Sequence, residues 1–546
     1  MSKRGKSKKI SIEEPAINKL VCAVEKPFDK VRCLFDEARY QEALDLADAE
    51  IAKTEQPAFL LNLAGLIAIK KGAPEDAVRY LQAAVAAKSD FTDAWVNLAS
   101  LHQQLKHFDE AESIYRRLLQ QQPDHFGWNH ALARMLSTMG QPEKAVAQYE
   151  AAIALQPDNP DLHFALGALL VKIKRVAEAE SCYLRSLALK PNGLGALNNL
   201  AVLYYNQRDY AQAEIYYRKI IQIVPSQISM IYNLSFLLLR LGRYREGWSL
   251  YETRYHPNRE DKSFNPPTNL ARQWRGEPLE GKCIAIWYEQ GFGDEIQFIR
   301  YAPLLKSKFK ANHVTVVCKP PLKRLFESVH GVDEVVAKSK TVSFKRPDFW
   351  TLPLSIPLYF DTTLDTIPNG TPYIHAAAQS LLAWRPRLAS NGLRVGVVWK
   401  GSASHSNDGE RSLPHLSALR PLWDVPNVSF FSLQKGQGED EAAPPPADMP
   451  LTELGSSIKD FTDSAAIIHE LDLLICVDTV VAHLAGAMGK PCWVLLPHTG
   501  TDWRWMDDRE DSPWYPSLRL FRQDTPSDWS SVIASVKSEL TRWAMY

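Results

Sequence analysis

Features that mark secreted, zinc-binding or membrane-spanning chains are scarce in these 546 residues. The seven cysteines are scattered, odd in number and never spaced as Cys-x-x-Cys, which argues against a disulfide framework and a zinc site. No stretch approaches the ~20 apolar residues that span a bilayer. The 63 basic residues balance 63 acidic ones, so overall charge favours neither nucleic acid nor a membrane surface. We expect a cytoplasmic protein.

The first twenty residues depart from this balance. The opening MSKRGKSKKI is basic, and no apolar run of signal-peptide length follows it. We expect residues 1–20 to form a disordered tail. A weak anchor to acidic lipid or to an acidic partner is the alternative.

What the chain has instead is a period of 34 residues. Small residues at this spacing are Ala43, Ala77, Ala111, Ala145, Ala179 and Ala213, with Gly247 closing the series. A second small residue, a bulky residue (usually tyrosine) and a proline recur in the same register. Small residues let two helices approach, the ring fills the gap to the next unit, and proline ends the second helix. A helical bundle without repeats is the alternative, but register held over six steps disfavours it.

This pattern resembles the tetratricopeptide (TPR) repeat, a helix-turn-helix unit. The resemblance implies an α-superhelix, a TPR solenoid of about seven repeats over residues 21–256, whose outer repeats act as caps. Grooves of such arrays bind an extended peptide or a helix of another protein. Asparagines on the first helices are candidate peptide-binding residues, or alternatively only solvated polar positions. They are Asn62, Asn97, Asn129, Asn199 and Asn233.

The rhythm changes after residue 256. Residues 257–282 are rich in proline, asparagine and charge and indicate a linker. Beyond them short apolar runs alternate with helical stretches, which predicts α/β structure with parallel sheets. The runs fall into two series, so we expect two Rossmann-like halves, residues 283–390 and 391–546. Ligands bind beyond the carboxyl ends of the strands in such halves.

The first candidate motif is Gly291-Phe292-Gly293-Asp294, which follows a predicted strand and opens a helix. The glycines permit a tight turn and a close approach of substrate to backbone N–H groups. Asp294 in the first helical turn would be placed to act as a general base. The alternative is an aspartate that only stabilises the helix N-terminus.

The second candidate motif runs from Asp478 to Gly486, after the apolar strand LLICV. Asp478 ends the strand, Thr479 begins the turn, and His483 lies one helical turn further. Hydroxyl, backbone amides and imidazole then converge on a helix N-terminus, which suits a pyrophosphate. The alternative is an ordinary N-cap beside a packed histidine.

The third candidate is the loop WKGSASHSNDGERS, which contains Lys400 and Arg411. A basic residue here would reach phosphates bound by the second motif, although a plain polar loop is equally compatible. Gln434 ends the next strand, again at the predicted edge of the cleft. Near the C-terminus DWRW and SPWYP indicate either an aromatic lining or a hydrophobic seam, and the seam is favoured.

Together the three motifs resemble the ADP-heptose lipopolysaccharide heptosyltransferases, glycosyltransferases of the GT-B fold, over residues 280–525. The resemblance implies that Asp294 is the catalytic base of a Gly-x-Gly-Asp loop. It also implies that the segment from Asp478 to His483 holds the nucleotide-sugar pyrophosphate. Residues 283–390 would then form the acceptor side and residues 391–546 the nucleotide-sugar side. Arg411 stands where that family often has a phosphate-binding lysine. The predicted nucleotide-sugar-binding residues are Gly291, Gly293, Lys400, Arg411, Gln434, Asp478, Thr479 and His483.

The chain departs from that family in its attached repeats and in its ending, residues 498–523. That fusion and that ending resemble bacterial TPR glycosyltransferases, some of which glycosylate flagellin, and the layout is similar to that of O-linked N-acetylglucosamine transferase. These resemblances imply a glycosyltransferase that moves a sugar from a nucleotide-sugar co-substrate to a hydroxyl of a protein acceptor. Neither a metal nor a cofactor is expected. One alternative is a TPR scaffold with an inactive transferase domain, and another is a lipid-linked or polysaccharide acceptor.

Overall fold

The computed structural model describes residues 25–259, 267, 270–339, 344–405 and 407–545. The predicted basic tail and part of the predicted linker lie outside these residues. By its contacts the chain forms two compact units, which divide between Leu200 and Ala201. The sequence had placed the end of the repeats at residue 256, so the unit boundary lies within the repeats instead.

Within residues 25–259, fourteen helices form seven antiparallel pairs, as the 34-residue period predicted. The helices are α1 Glu25–Asp36, α2 Tyr40–Ile51, α3 Ala58–Lys71, α4 Pro74–Ala87, α5 Thr92–Gln104, α6 Phe108–Gln121, α7 Phe126–Thr138, α8 Pro142–Leu155, α9 Pro160–Lys172, α10 Val176–Leu189, α11 Leu194–Asn206, α12 Tyr210–Ile223, α13 Ile228–Arg240 and α14 Tyr244–Tyr251. All six alanines of the series are fully buried. The small side chain at this position therefore lets the two helices of a repeat approach closely, as the pattern implied.

The small and bulky positions of the repeat pack against each other. A Cβ added to Gly167 would lie 2.7 Å from the ring of Tyr183 in the same repeat. The Tyr183 hydroxyl in turn accepts a hydrogen bond from Nδ2 of Asn199, in the first helix of the next repeat, at 3.0 Å. The ring thus fills its own repeat and its hydroxyl contacts the following one.

The second unit contains eleven strands within its described residues. They are β1 Arg272–Gln273, β2 Cys283–Trp287, β3 His313–Cys318, β4 Glu334–Ala337, β5 Phe349–Thr351, β6 Leu393–Val398, β7 Val428–Ser432, β8 Leu451–Glu453, β9 Leu473–Val477, β10 Cys492–Leu496 and β11 Leu518–Arg522. Their sheet orders are β1-β5-β2-β3-β4 and β11-β10-β9-β6-β7-β8, and each pairing is parallel. Strand β1 lies inside the predicted linker, which therefore forms an edge of the first sheet.

Helices accompany these strands as expected for a parallel sheet. They are α15 Phe292–Phe298, α16 Ala302–Phe309, α17 Lys323–Phe326, α18 Ile356–Tyr359, α19 Ala378–Trp384, α20 Asp408–Arg411, α21 Phe461–Glu470, α22 Val480–Ala487 and α23 Trp529–Trp543. In the second sheet the strand order reverses between β6 and β9. Such a reversal leaves a crevice at the carboxyl ends of the two strands. Both the third and the second sequence motif begin there.

One hydrophobic core joins the last repeat to both sheets. Trp248 packs edge-on against Trp503, with ring centroids 5.3 Å apart, and the indole Nε1 of Trp514 donates to the Tyr244 hydroxyl at 3.0 Å. Nearby, the buried Arg240 pairs with Asp507 at 2.9 Å. The sequence predicted that the last repeat acts as a cap. Instead, its second helix is buried within the second unit, so the repeat does not end the structure against solvent.

Candidate functional site

A cleft of about 550 Å³ lies beyond the carboxyl ends of strands β2, β6 and β9. Its lining includes Gly291, Gly293 and Asp294 of the first predicted motif, Asp478, Thr479 and His483 of the second, and Arg411 of the third. In sequence, more than a hundred residues lie between the first of these segments and the last. The fold brings them together because each follows the end of a parallel strand.

Asp294 lies in the first turn of α15 and lines the cleft. Its Oδ2 accepts a hydrogen bond from the backbone N–H of Gly291 at 2.8 Å, and its Oδ1 accepts one from the guanidinium of Arg504. The side chain is 14% exposed. Asp294 therefore caps its helix and also faces the cleft, so the two alternatives drawn from the sequence coexist.

Arg504 is the main residue of the cleft that sequence reasoning missed. Its guanidinium bonds to Asp294, to Oδ2 of Asp502 at 2.8 Å, and to the Gln297 side chain. Burial opposes its charge, but the carboxylates of Asp502 and Asp294 outweigh burial and raise the pKa of Arg504 further. The signal was the DWRW run, in which the predicted seam is confirmed: Trp503 and Trp505 are buried and Arg504 lies between them.

The second motif also lines the cleft. Thr479 is the N-cap residue of α22, but its side chain does not cap the helix, so its hydroxyl is left for other partners. Burial, followed by the charge of Asp502, raises the pKa of Asp478 to about 6. The N-terminus of α22 and its backbone N–H groups are therefore presented to the cleft beside two carboxylates. Such a terminus attracts phosphate.

His483 packs directly against the first motif. A Cβ added to Gly293 would lie 2.6 Å from its Cδ2, so only glycine allows α15 and α22 to approach this closely. Its Nδ1 lies 3.0 Å from the Tyr515 hydroxyl. Burial, together with the positive charge of Arg504, lowers the pKa of His483 to about 3. The imidazole is therefore neutral and acts as a hydrogen-bonding group, not as a cation.

The third segment contributes Arg411 to the cleft lining, but not Lys400. Arg411 lines the cleft and pairs with Asp408 at 3.3 Å. The Lys400 ammonium instead bonds to the Pro414 carbonyl and to Glu441. The direction of its side chain takes it away from the cleft lining, so a phosphate contact for Lys400 is not supported.

Gln434 likewise has a structural role in place of the predicted contact with a nucleotide sugar. It is 2% exposed, and its Oε1 accepts hydrogen bonds from the backbone N–H groups of Trp399 and Lys400. Its Nε2 donates to the Lys400 and Gln437 carbonyls. Its side-chain amide therefore connects the loop after β6 to the loop after β7.

The segment after β3 supplies a further cation. Lys319 lines the cleft, and its ammonium bonds to the Gln290 carbonyl and pairs with the buried Glu295 at 3.4 Å. Burial raises the pKa of Glu295 to about 7. In the part of the chain that the structure describes, no group of three histidine, cysteine or acidic residues is arranged to hold a metal ion.

The five predicted peptide-binding asparagines make mostly internal contacts. Nδ2 of Asn97 donates to Oδ1 of Asn62 at 2.9 Å, and Asn199 bonds to Tyr183. Asn129 is 3% exposed and bonds to two backbone carbonyls at the start of its helix. Asn233 is half-buried on α13. Peptide binding by these residues stays a prediction, and Asn129 fits it least because its amide is already engaged.

Comparison with known proteins identifies the helical part of the chain. Models described as tetratricopeptide repeat match residues 68–135 and 194–224, and one described as TPR repeat matches residues 135–174. The chain therefore contains TPR repeats, which are protein-binding modules. In the described residues no helix has the length and apolar character needed to cross a bilayer.

A curated relative and two solved structures are similar to the chain. Protein FlbA of Caulobacter vibrioides is 28% identical over 336 residues, which cover 56% of this chain and 54% of that protein. The chain thus spans about half the length of the curated relative that it matches. A TPR repeat-containing protein of Cytophaga hutchinsonii is 15% identical over 41% of this chain and 93% of its own C-terminal part, with a TM-score of 0.38. YrrB is 18% identical, with coverages of 34% and 96% and a TM-score of 0.30.

Proposed function

We propose that this chain is a glycosyltransferase of the GT-B type, which transfers a sugar from a nucleotide-sugar donor to a hydroxyl of a protein acceptor. The observation that supports this most is that one cleft gathers Asp294, the N-terminus of α22 and Arg411 from three distant segments. These are the parts that the transfer requires: a base, a diphosphate site and a positive charge.

On the donor side, the N–H groups at the start of α22 are placed to bind the diphosphate. Thr479 adds a hydroxyl, and neutral His483 adds a ring nitrogen. Arg411 neutralises part of the negative charge that develops on the leaving diphosphate. In this proposal the helix N-terminus and the arginine do the work that a metal ion does in other transferases.

On the acceptor side, Asp294 removes the proton from the attacking hydroxyl. The hydroxyl oxygen then forms a bond to the anomeric carbon while the bond between that carbon and the diphosphate oxygen breaks. The nucleoside diphosphate leaves with the bonding electron pair. The Arg504 guanidinium fixes the Asp294 carboxylate, which keeps it oriented during this step.

The acceptor is proposed to be a protein because the same chain carries TPR repeats, whose usual ligands are peptides and proteins. Flagellin or another bacterial protein would suit this arrangement. The repeats and the cleft are on one polypeptide, so recruitment raises the local concentration of acceptor hydroxyls.

The test begins with binding and continues with chemistry. UDP-, GDP-, ADP- and CMP-sugars are compared in thermal denaturation, where a ligand at about 100 times its Kd adds about 2.7 kcal/mol of stability. With the donor that binds, Asp294→Asn should lower kcat for donor hydrolysis by about 10²-fold or more. Donor affinity should stay within a few-fold, since the amide still accepts from Gly291.

A matched control is Asp528→Asn, because Asp528 also caps a helix through backbone N–H groups of Ser530 and Ser531 and lies outside the cleft lining. Equal kcat values for Asp294→Asn and Asp528→Asn would contradict the assignment of Asp294 as the base. Failure of all four donor classes to stabilise the protein would favour the alternative, a TPR scaffold with an inactive transferase domain. Intact-mass analysis of proteins retained by the repeats then identifies the acceptor: a defined mass increment on a protein would exclude a lipid-linked or polysaccharide acceptor.

A further inference from the structure

The last repeat contacts the segment that precedes the first motif through Tyr251, the last residue of α14, and Arg254, in the turn that follows that helix. The Tyr251 hydroxyl accepts a hydrogen bond from Nε2 of Gln290 at 2.8 Å. Arg254 contacts Glu289 through Nε at 2.5 Å and Nη2 at 3.2 Å. Tyr251 and Arg254 are three residues apart, so they face the same direction. Glu289 and Gln290 directly precede the Gly291–Asp294 motif.

Both contacts are buried and well satisfied. Arg254 is 6% exposed and Glu289 1%. The guanidinium also bonds to Glu252 at 2.6 Å and to Ser355 at 2.7 Å, and it lies over the Tyr251 ring, 4.8 Å from its centroid. A bidentate arginine–carboxylate contact fixes both position and orientation. The backbone at Glu289 is therefore attached to the last repeat.

Gln290 shows why the loop needs this support. Its φ is +54°, in the left-handed region that non-glycine residues seldom adopt. Such a conformation persists only where surrounding contacts determine it. Here Tyr251 holds the side chain and Lys319 holds the carbonyl. The turn at Gln290 then aims Gly291 and the first turn of α15 into the cleft.

We infer that the last repeat positions the catalytic loop: Tyr251 and Arg254 are positioning residues that hold residues 288–294 in the geometry that presents Asp294. The consequence for catalysis rests on the proposed function. The consequence for the loop does not, because it concerns only the conformation of residues 288–294. The TPR array thereby has a second role, in the geometry of the site, besides that of binding a partner.

Tyr251→Phe tests this inference because it removes one hydroxyl and little volume. The matched control is Tyr244→Phe. Tyr244 lies on the same helix, is equally buried (1% exposed), and its hydroxyl also accepts one hydrogen bond, from Trp514 at 3.0 Å. A merely structural role of a buried tyrosine hydroxyl would thus affect both variants alike.

The first measurement is hydrogen–deuterium exchange of the full chain, followed in peptides covering residues 287–294. We expect exchange to be about fivefold faster in Tyr251→Phe than in Tyr244→Phe, the ratio that corresponds to one lost hydrogen bond. Gln290→Asn, which tolerates the left-handed conformation but shortens the side chain, should have the same effect. The double variant with Tyr251→Phe should exchange no faster than either single one. Equal exchange in the two tyrosine variants would overturn the inference.

The second measurement is steady-state donor hydrolysis. Tyr251→Phe should lower kcat about fivefold relative to Tyr244→Phe. The KM for the donor should change less than twofold, because the proposed diphosphate contacts, at the N-terminus of α22 and at Arg411, lie outside the loop that Tyr251 holds. Equal kcat values would show that the loop contact does not serve catalysis. If the wild-type chain hydrolyses no donor, the proposed function fails, whereas the exchange comparison still decides whether the last repeat positions the loop.

Discussion

Gly293→Ala probes the closest approach in the cleft, that of α15 to α22. The added Cβ would lie 2.6 Å from Cδ2 and 3.1 Å from Nε2 of His483. An ordinary carbon–carbon contact is about 3.5–4 Å, so one of the two helices must retreat by roughly 1 Å. The imidazole has little room to turn. The Tyr515 hydroxyl holds its Nδ1 at 3.0 Å, and the centroid of the Trp505 ring lies 5.4 Å from the centroid of the imidazole.

The expected magnitude follows from two opposing terms. Overpacking costs about 1–3 kcal/mol, and alanine in place of a helical glycine recovers about 0.5–1 kcal/mol. We therefore expect Gly293→Ala to lose about 1–2 kcal/mol of stability, with a Tm lower by about 2–4 °C. A misplacement of about 1 Å costs about 10²-fold in rate. We therefore expect kcat/KM for donor hydrolysis to fall by about 10²-fold, although the loss of stability is modest.

The matched control is Gly409→Ala, where an added Cβ meets no atom within 4 Å. Thermal denaturation and donor hydrolysis are measured on both variants in parallel. A Gly293→Ala protein that matches Gly409→Ala in both assays would refute the argument. It would mean that the contact between α15 and His483 is looser than the geometry indicates.

Four further predictions concern charge and domain boundaries. Asp478 carries a pKa of about 6 in the folded protein. Its ionisation therefore destabilises the folded protein by about 3 kcal/mol. This cost is absent below about pH 4 and fully present above about pH 6–7. Asp478→Asn should therefore raise the Tm at pH 8 but not at pH 4. Asp502→Asn should lower it at pH 8, because a neighbouring guanidinium outweighs burial and lowers the pKa of that carboxyl. Arg240→Met should cost about 3–5 kcal/mol in urea denaturation, since its buried carboxylate partner stays behind unpaired; a loss below 1 kcal/mol would contradict this. Residues 194–546, which keep α11 whole, should elute as a folded protein in size-exclusion chromatography. Residues 257–546 should aggregate, because loss of the last repeat exposes Trp503 and Trp514.

Much of the fold was readable because it depends on local periodicity. The 34-residue series predicted seven helix pairs and the buried alanines, and alternation of apolar runs predicted parallel strands. The same reasoning placed the Gly291–Asp294 and Asp478–His483 segments correctly, since residues that follow parallel strands meet at one edge of a sheet. Their chemical roles stay predictions.

What the sequence did not show depends on contacts between distant segments. Arg504 reaches Asp294 across 210 positions, and nothing near DWRW indicates that partner. Lys400 and Gln434 do follow strands, but packing, which no local pattern records, decides where their side chains point. The unit boundary at residue 200 was missed for a related reason, because Trp248 packs on Trp503 from a position that the repeat pattern treats as ordinary.

The repeat pattern itself explains how a solenoid can end on an α/β domain. In an inner repeat the Tyr183 hydroxyl accepts a hydrogen bond from the amide of Asn199 in the next repeat. At the equivalent position of the last repeat, the Tyr251 hydroxyl accepts one from the amide of Gln290, which follows β2. The loop after β2 therefore takes the place that an eighth repeat would occupy. Because each repeat needs a neighbour to bury its open face, the residues that complete the last repeat are also those that lead into Asp294. Stability of the array and geometry of the cleft are then set by the same contact.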